Sequence, residues 1–446
     1  MHPHVAPIRK AMPASLPSPW RGARFVEDAQ FVLEDATGPF SESLRAFELA
    51  GPRRNVALGP DARVGILTAG GLCPGINDVV RSLVLTLWHG YGLRSIHGVR
   101  HGFDGLGGAG APDVMALTPD EVRNIHREGG TLLGTARGRQ DMERAADTVQ
   151  GLGLSALFCI GGDGTLKGAL SLDVALEKRR AAVAPEAREA RVAPEARAAG
   201  VARERRTAAV AVIGIPKTID NDILHCSRTF GFVTAVEEAA RAIAAAHAEA
   251  SSHRSGTAIV QLMGRDSGFI AAAASLACPD VNICLVPESR FTLPALVAAV
   301  DARLRERGHC VIVAAEGAGA DLLSDDDCER DASGNVKLPP IAPRLQEALE
   351  TGLKAGGLSP TIKCIDPSYM IRSVVADPDD RILCMQLAQA AAHAAMSGRS
   401  RMMVGLIGDR FAHVPLEEAC AGRKHLDLDG DLWQAVLAST GQPDLS

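Results

Sequence analysis

Aromatic side chains are scarce in this sequence: 3 Trp, 2 Tyr and 11 Phe among 446 residues, 4% of the chain. Ala, Gly and Arg are abundant instead, which suits helices and tight turns better than an all-β sandwich. An excess of positive charge is missing as well. With 47 Lys and Arg against 53 Asp and Glu the net charge is −6. A nucleic-acid partner, whose phosphates call for a positive field, is therefore not expected. That balance still leaves room for a local basic pocket around a small phosphorylated ligand. The 10 Cys, scattered from Cys73 to Cys420, form no C-x-x-C pair. Several sit in apolar strand-like runs, such as Cys159 in ALFCIGG, Cys284 in NICLVP and Cys310 in HCVIVAAEG. They are expected to be buried free thiols of a reducing compartment, neither zinc ligands nor disulfides. No apolar stretch reaches the ~18 residues of a membrane span. The first 20 residues, broken by prolines, lack the apolar core of a signal peptide. The expectation is a soluble, cytoplasmic protein with no membrane partner.

What is present points to layered α/β structure. Apolar residues make up 46% and charged residues 22%, enough for a substantial core in a chain long enough for two or three domains. Residues 1–60 show no strong period and are rich in Pro, Arg and Gly; they read as a loosely structured N-terminal arm. From Arg63 onward short apolar runs alternate with amphipathic segments. The strand candidates are VGILTA (64–69), ALFCIGG (156–162), AVAVIGIP (209–216), TAIVQLMG (257–264), NICLVPE (282–288), CVIVAAEG (310–317), IKCIDP (362–367) and MVGLIG (403–408). Each ends in Gly, Pro or a polar turn, as strands buried on both faces of a parallel sheet do. Helix candidates at 234–250 and 380–396 lie between them. The pattern predicts an α/β fold of two Rossmann-like lobes, with mainly parallel sheets flanked by helices. Residues 177–206 repeat VAPEAR and hold almost no large apolar residue. A solvated insertion extending a surface helix and loop fits them better than a basic contact for an acidic partner.

Four glycine-rich or acidic loops follow strands. TAGGLCPGIN (68–77) brings Gly71 to the mouth of a helix, where backbone N–H groups can meet phosphate oxygens. Taken alone it serves equally well as a tight turn. GGTLLGTARGR (129–139) adds Arg137 and Gly138, a cation beside a flexible approach, though a surface arginine after a turn fits as well. CIGGDGTLKGA (159–169) frames Asp163 with Gly162, Gly164 and Thr165. A carboxylate so placed can hold magnesium while the glycines admit a phosphate chain; the loop speaks for nucleotide phosphate, not for an acceptor. GIPKTIDNDI (214–223) sets Asp220 and Asp222 two residues apart after a buried strand, beside Lys217 and Thr218. A carboxylate there can act as base toward a hydroxyl nucleophile, and an Asx turn capping the next helix is the structural alternative.

In this order GGLCPGIN, GGTLLGTARG, GGDGT, PKTIDND, LMGRDSGF, AEGAG and IDPSYMIRS resemble the motifs of the 6-phosphofructokinases, without a break over residues 60–420. The resemblance implies transfer of a phosphoryl group to the 1-hydroxyl of fructose 6-phosphate. It implies a nucleotide-binding lobe at 61–231 that carries the 177–206 insertion, a sugar-phosphate lobe at 232–372, a return segment at 373–420, and a C-terminal helix and tail at 421–446. Residue by residue, Asp220 matches the general base and Arg265 the cation on the transferring group. Asp163 matches the magnesium ligand. Gly71, Arg137, Gly138, Gly162, Asp163, Gly164 and Thr165 match nucleotide-binding positions. Thr218, Ile219, Met263, Gly264 and Glu316 join Asp220 and Arg265 in matching sugar contacts. Tyr369, Met370, Ile371 and Arg372 match the segment that clamps the 6-phosphate, with Lys363 as a helper.

Two positions bear on the donor. Gly164 stands where pyrophosphate-using members carry Asp, whose bulk and charge would collide with an α-phosphate. Lys217 points the other way, because short bacterial ATP enzymes carry Gly there. The pair is similar to the plant and trypanosomatid branch, so ATP with magnesium is the expected donor and pyrophosphate-dependent transfer the alternative. Gly256 occupies the place from which short bacterial members extend an Arg to the neighbouring subunit; the resemblance otherwise implies a homodimer or homotetramer. The acidic stretch Asp427, Asp429 and Asp431 lacks calcium-loop spacing and reads as a helix N-cap.

Overall fold

All eight apolar runs form strands. The computed structural model describes residues 4–22, 24–34, 44–108, 110–138, 141–189, 209–322 and 339–446. The strands of its two large sheets are, along the chain, β1 (His4–Val5), β2 (Phe31–Leu33), β3 (Arg45–Leu49), β4 (Arg63–Thr68), β5 (Ser95–Val99), β6 (Val114–Ala116), β7 (Ala156–Gly161), β8 (Ala211–Pro216), β9 (Gly256–Leu262), β10 (Ile283–Leu285), β11 (His309–Ala315), β12 (Thr361–Ile365), β13 (Met402–Ile407) and β14 (Arg410–Pro415). The main helices are α1 (Ile76–Leu85), α2 (Met142–Gly151), α3 (Asp163–Glu189), α4 (Phe232–Ser251), α5 (Phe269–Ala277), α6 (Leu293–Arg307), α7 (Ile341–Ala355), α8 (Pro378–Met396) and α9 (Asp431–Thr440). Two units share them. Unit one comprises Met1–Thr218, Ile223–Phe230 and Val375–Gly422; unit two comprises Ile219–Asp222, Gly231–Val374 and Arg423–Ser446.

Unit one holds a ten-stranded sheet in the order β1-β3-β14-β13-β8-β7-β4-β5-β6, with β2 alongside β3. Its centre is parallel: Phe158 of β7 stands opposite Ile213 of β8 on one side and Ile66 of β4 on the other. Every residue of β7 and β8 is buried, which is why their sequences run apolar without alternating. The hairpin β13–β14 and strands β3 and β6 pair antiparallel at the flanks. Against the sheet lies α8, whose start is written plainly in its residues. Asp377 accepts the Asp380 N–H at 2.7 Å, Pro378 occupies the first turn, and Asp379 and Asp380 meet the positive end of the helix.

The N-terminal arm corrects the sequence reading. Residues 45–49 are a sheet strand: Ala46 and Phe47 are wholly buried, and Ala412 of β14 pairs with Leu49. Its short pattern, RAFEL, is hidden by the surrounding Pro and Gly. Glu48 is buried there with Arg53, Arg399 and His413 around it. Burial alone would raise its carboxyl, but hydrogen bonds from His413 and Arg399 prevail and hold it well below the ordinary range.

Unit two has a four-stranded parallel sheet in the order β10-β11-β9-β12, with Ile259 of β9 opposite Ile312 of β11. Helices α6 and α7 cover it. The α6 residues Leu296, Val300 and Leu304 recur at helical spacing, and all three are buried with Leu345, Leu349 and Leu353 of α7. Of the 177–206 insertion, α3 continues to Glu189; residues 190–206 lie outside the described residues. The nine described cysteines are all free, six of them buried. Burial pushes the Cys284 and Cys310 thiols up to about 12, so these behave as small core residues. Cys328 lies outside the described residues.

Candidate active site

In open α/β sheets, ligand-binding loops gather at the carboxyl ends of the strands. In unit one those ends carry the predicted phosphate loops. The loop after β4 is stitched to the GGTLLGTARG segment. The Thr68 hydroxyl donates to Gly134 O at 2.6 Å, the Thr135 hydroxyl to Gly70 O at 2.6 Å, and the Gly70 N–H to Ala136 O at 3.1 Å. Asn77, one turn into the same region, accepts the Leu132 N–H at 2.8 Å and donates to Glu128 O at 3.2 Å. Arg137 and Gly138 follow as exposed residues, Gly138 at φ 116°.

The GGDGT loop closes β7 and opens α3. A Cβ on Gly161 would fall 2.1 Å from the Thr165 hydroxyl, so only glycine fits there. At Gly164 a Cβ would meet nothing within 4 Å, and the space beside the helix N-terminus is open. Asp163 is the first residue of α3, its side chain 14% exposed, with Lys167 Nζ 2.9 Å from Oδ2. Cys420 lies near enough that Asp163 adds to burial in pushing that thiol up to about 12. Lys217 is 5% exposed, and its ammonium donates to the Gly71 carbonyl, which braces the first loop from β8.

Unit two places its candidates in the same way. Met263, Gly264 and Arg265 follow β9, Glu316 follows β11, and Asp366 to Arg372 follow β12. The Glu316 N–H donates to Leu262 O at 2.8 Å and the Gly317 N–H to Gly264 O at 3.1 Å. Gly264 sits at φ 125°, and a Cβ on Gly317 would lie 1.8 Å from Arg265 O. The Ser267 hydroxyl donates to Asp220 O at 3.0 Å. This ties the D-N-D turn to the MGRDS turn, so Asp220, Arg265 and Glu316 belong to one connected set of loops. Asp222 O accepts the Lys424 N–H at 2.8 Å, while Arg423 pairs with Asp266 and lies 3.8 Å from the Asp222 carboxylate. The motif order gave no signal for Arg423 and Lys424, because they come from the far end of the chain.

The candidates differ in exposure. Ile371 is fully buried, and Ile219 and Met263 are 3% and 7% exposed; these three can offer a ligand their main chain but little side chain. Tyr369 and Met370, by contrast, are 84% and 68% exposed, and Arg372 is half-buried. Lys363 stands inside β12, in register with Ala258, rather than on the loop with Tyr369. Gly256 could carry no arginine as placed, since a Cβ there would fall 2.1 Å from Ala250 O. In the acidic stretch the helix begins at Asp431, preceded by Gly430 with no side-chain cap, and Asp427 instead accepts the Asp429 N–H at 3.0 Å. Among the described residues no helix is long and apolar enough to cross a membrane.

Residues 63–395 match the family described as Phosphofructokinase. The ATP-dependent 6-phosphofructokinase of Amycolatopsis methanolica is 42% identical over 434 residues, which cover 94% of this chain and 88% of the relative. That of Trypanosoma cruzi is 42% identical over 406 residues, 90% of this chain and 78% of the relative. Among solved structures, phosphofructokinase from Saccharomyces cerevisiae superposes with a TM-score of 0.64 at 25% identity, over 85% of this chain. The chain spans 47% of that longer one.

Proposed function

The chain belongs to the phosphofructokinase family, and we propose that it transfers the terminal phosphoryl group of ATP to the 1-hydroxyl of fructose 6-phosphate, giving fructose 1,6-bisphosphate and ADP. The observation that carries this reading is Asp220, held by the Ser267 hydroxyl in one loop set with Arg265 and Glu316. As general base it takes the proton of the attacking hydroxyl while that oxygen bonds to the γ-phosphorus and the bond to the β-phosphate oxygen breaks. Arg265 meets the charge of the transferring group, Glu316 the sugar hydroxyls, and Arg372 with Tyr369 the 6-phosphate. Gly71, Arg137, Gly138 and the Gly162–Thr165 turn receive the nucleotide phosphates at the N-terminus of α3.

Asp163 fits magnesium by its donor chemistry: a single, mostly buried carboxylate framed by glycines, leaving the remaining oxygen ligands to phosphates and water. When bound, the ion supplies charge neutralisation to the phosphate chain. The open space at Gly164 favours ATP over pyrophosphate, and the burial of Lys217 against Gly71 O makes that cation a brace between loops. The relatives' names agree with the ATP reading. The working form is proposed to be a cytoplasmic homodimer or homotetramer.

Asp220→Asn tests the assignment. Substrate binding and thermal midpoint are expected to hold while turnover in a coupled assay falls ~10²–10⁴-fold, the scale of a lost general base. Undiminished turnover sinks the reading.

A further inference from the structure

We propose that His225, held by Glu34 and Arg45 of the N-terminal arm, is a positioning residue for the turn that carries Asp220. The inference rests on Asp220 being the base. His225 has φ 55°, a left-handed conformation uncommon outside glycine that persists only where its surroundings fix it. Its surroundings do. Nδ1 contacts the Glu34 carboxylate, Nε2 lies 3.4 Å from the Arg45 guanidinium, and the ring packs 5.3 Å from that of Phe47. Since Arg45 can only donate, Nε2 accepts and Nδ1–H points to Glu34. The backbone is pinned as well: a Cβ on Gly405 would fall 2.9 Å from His225 O, so glycine lets β13 approach.

The rest of this segment is anchored within unit one too. The Ser227 N–H donates to Leu406 O at 2.7 Å and the Gly408 N–H to the Ser227 hydroxyl at 2.9 Å. The Thr229 hydroxyl donates to Thr218 O at 2.7 Å, and Lys217 bridges to Phe230. The four residues Ile219–Asp222 therefore leave and re-enter unit one between fixed ends. His225, five residues after Asp220, is where that anchoring reaches the arm. Glu34, Arg45 and Phe47 all precede the segment that matches the family, 63–395. Residues that precede that segment thus take part in setting the position of the base. Misplacement of a catalytic group by about 1 Å can lower a rate by ~10²-fold.

The test uses the full-length protein with Glu34→Gln, which keeps shape and loses charge, and His225→Asn, which tolerates the left-handed backbone. In both, kcat is expected to fall about tenfold, less than the ~10²-fold that a full 1 Å misplacement can cost, with KM for ATP and fructose 6-phosphate within about twofold and an unchanged thermal midpoint. Glu34→Asp should recover part of the loss. Combined with Asp220→Asn, Glu34→Gln should add no further loss, because the group it positions is gone. Normal kcat in both single variants beside an impaired Asp220→Asn overturns this inference alone, as does the same tenfold loss on the Asp220→Asn background. Full activity in Asp220→Asn overturns the base assignment and the role of His225 with it.

Discussion

Placing a carboxylate at position 164 separates folding from donor use. A Cβ on Gly164 meets no protein atom within 4 Å, so Gly164→Asp introduces no clash. The new side chain joins the first turn of α3, where a negative charge stabilises a helix by about 0.5 kcal/mol. Folding should therefore be unchanged or slightly improved. The effect on ATP has the opposite sign. A second carboxylate beside Asp163 about 5 Å from a phosphate charge repels it by roughly 3 kcal/mol at an effective dielectric constant of ~20. Setting the helix gain aside, that corresponds to a fall of about 10²-fold in kcat/KM for ATP. Pyrophosphate, which has no α-phosphate, should suffer much less. The measurement is a coupled assay at fixed fructose 6-phosphate with each donor in turn, beside a thermal melt. If kcat/KM for ATP stays within threefold, the open space at Gly164 is not where the nucleotide's phosphates run. An equal loss with both donors refutes repulsion of the α-phosphate at this position as the basis of donor choice.

Other expectations follow from single features. Phe47→Ala empties a fully buried site in β3 and should lower unfolding free energy by about 3–4 kcal/mol in urea titration; a loss under 1 kcal/mol would mean the arm is dispensable. His393 accepts or donates at 2.7 Å to the Tyr91 hydroxyl, and burial, aided by His413 and Arg53, lowers its pKa to about 3. Its neutral form is thus favoured by folding. The stabilisation is complete above the ordinary value near 6.5 and is lost as pH falls toward 3. Between pH 7 and pH 5 this group alone removes about 2 kcal/mol. His393→Gln should flatten that slope, and an unchanged pH profile of stability would show that the ring is not what titrates. Gly317→Ala would drive a methyl group to 1.8 Å from Arg265 O. Displacement of that turn should cut kcat/KM for fructose 6-phosphate by more than tenfold at a stability loss of about 1–3 kcal/mol, and wild-type kinetics would show that the close approach is not needed.

The chemistry was legible where it is local. Gly161 is glycine because the Thr165 hydroxyl occupies the place of a side chain, and such constraints leave a readable G-G-D-G-T in the sequence. Buried parallel strands such as β7 and β8 announce themselves by continuous apolar runs. What stayed hidden depends on partners far along the chain. β3 is short, framed by Pro and Gly, and joins the sheet through β14, more than 360 residues later, with β1 and β2 paired to it as well. The same holds for Arg423 and Lys424, which reach Asp266 and Asp222 from the far end of the chain, and for Ile371, whose complete burial the order of motifs does not show.

This division has a mechanistic meaning. Glycine loops specify what is bound, because close backbone approach is decided within a few residues. Catalysis by the proposed base, however, depends on where Asp220 is held to within a fraction of an ångström. The Ser267 hydroxyl donates to the Asp220 carbonyl, and the segment after the turn is fixed at Thr229, Ser227 and His225. His225 contacts Glu34 and Arg45 of the N-terminal arm. On the proposed role of His225, a change in the arm alters turnover while the ligand set is left intact.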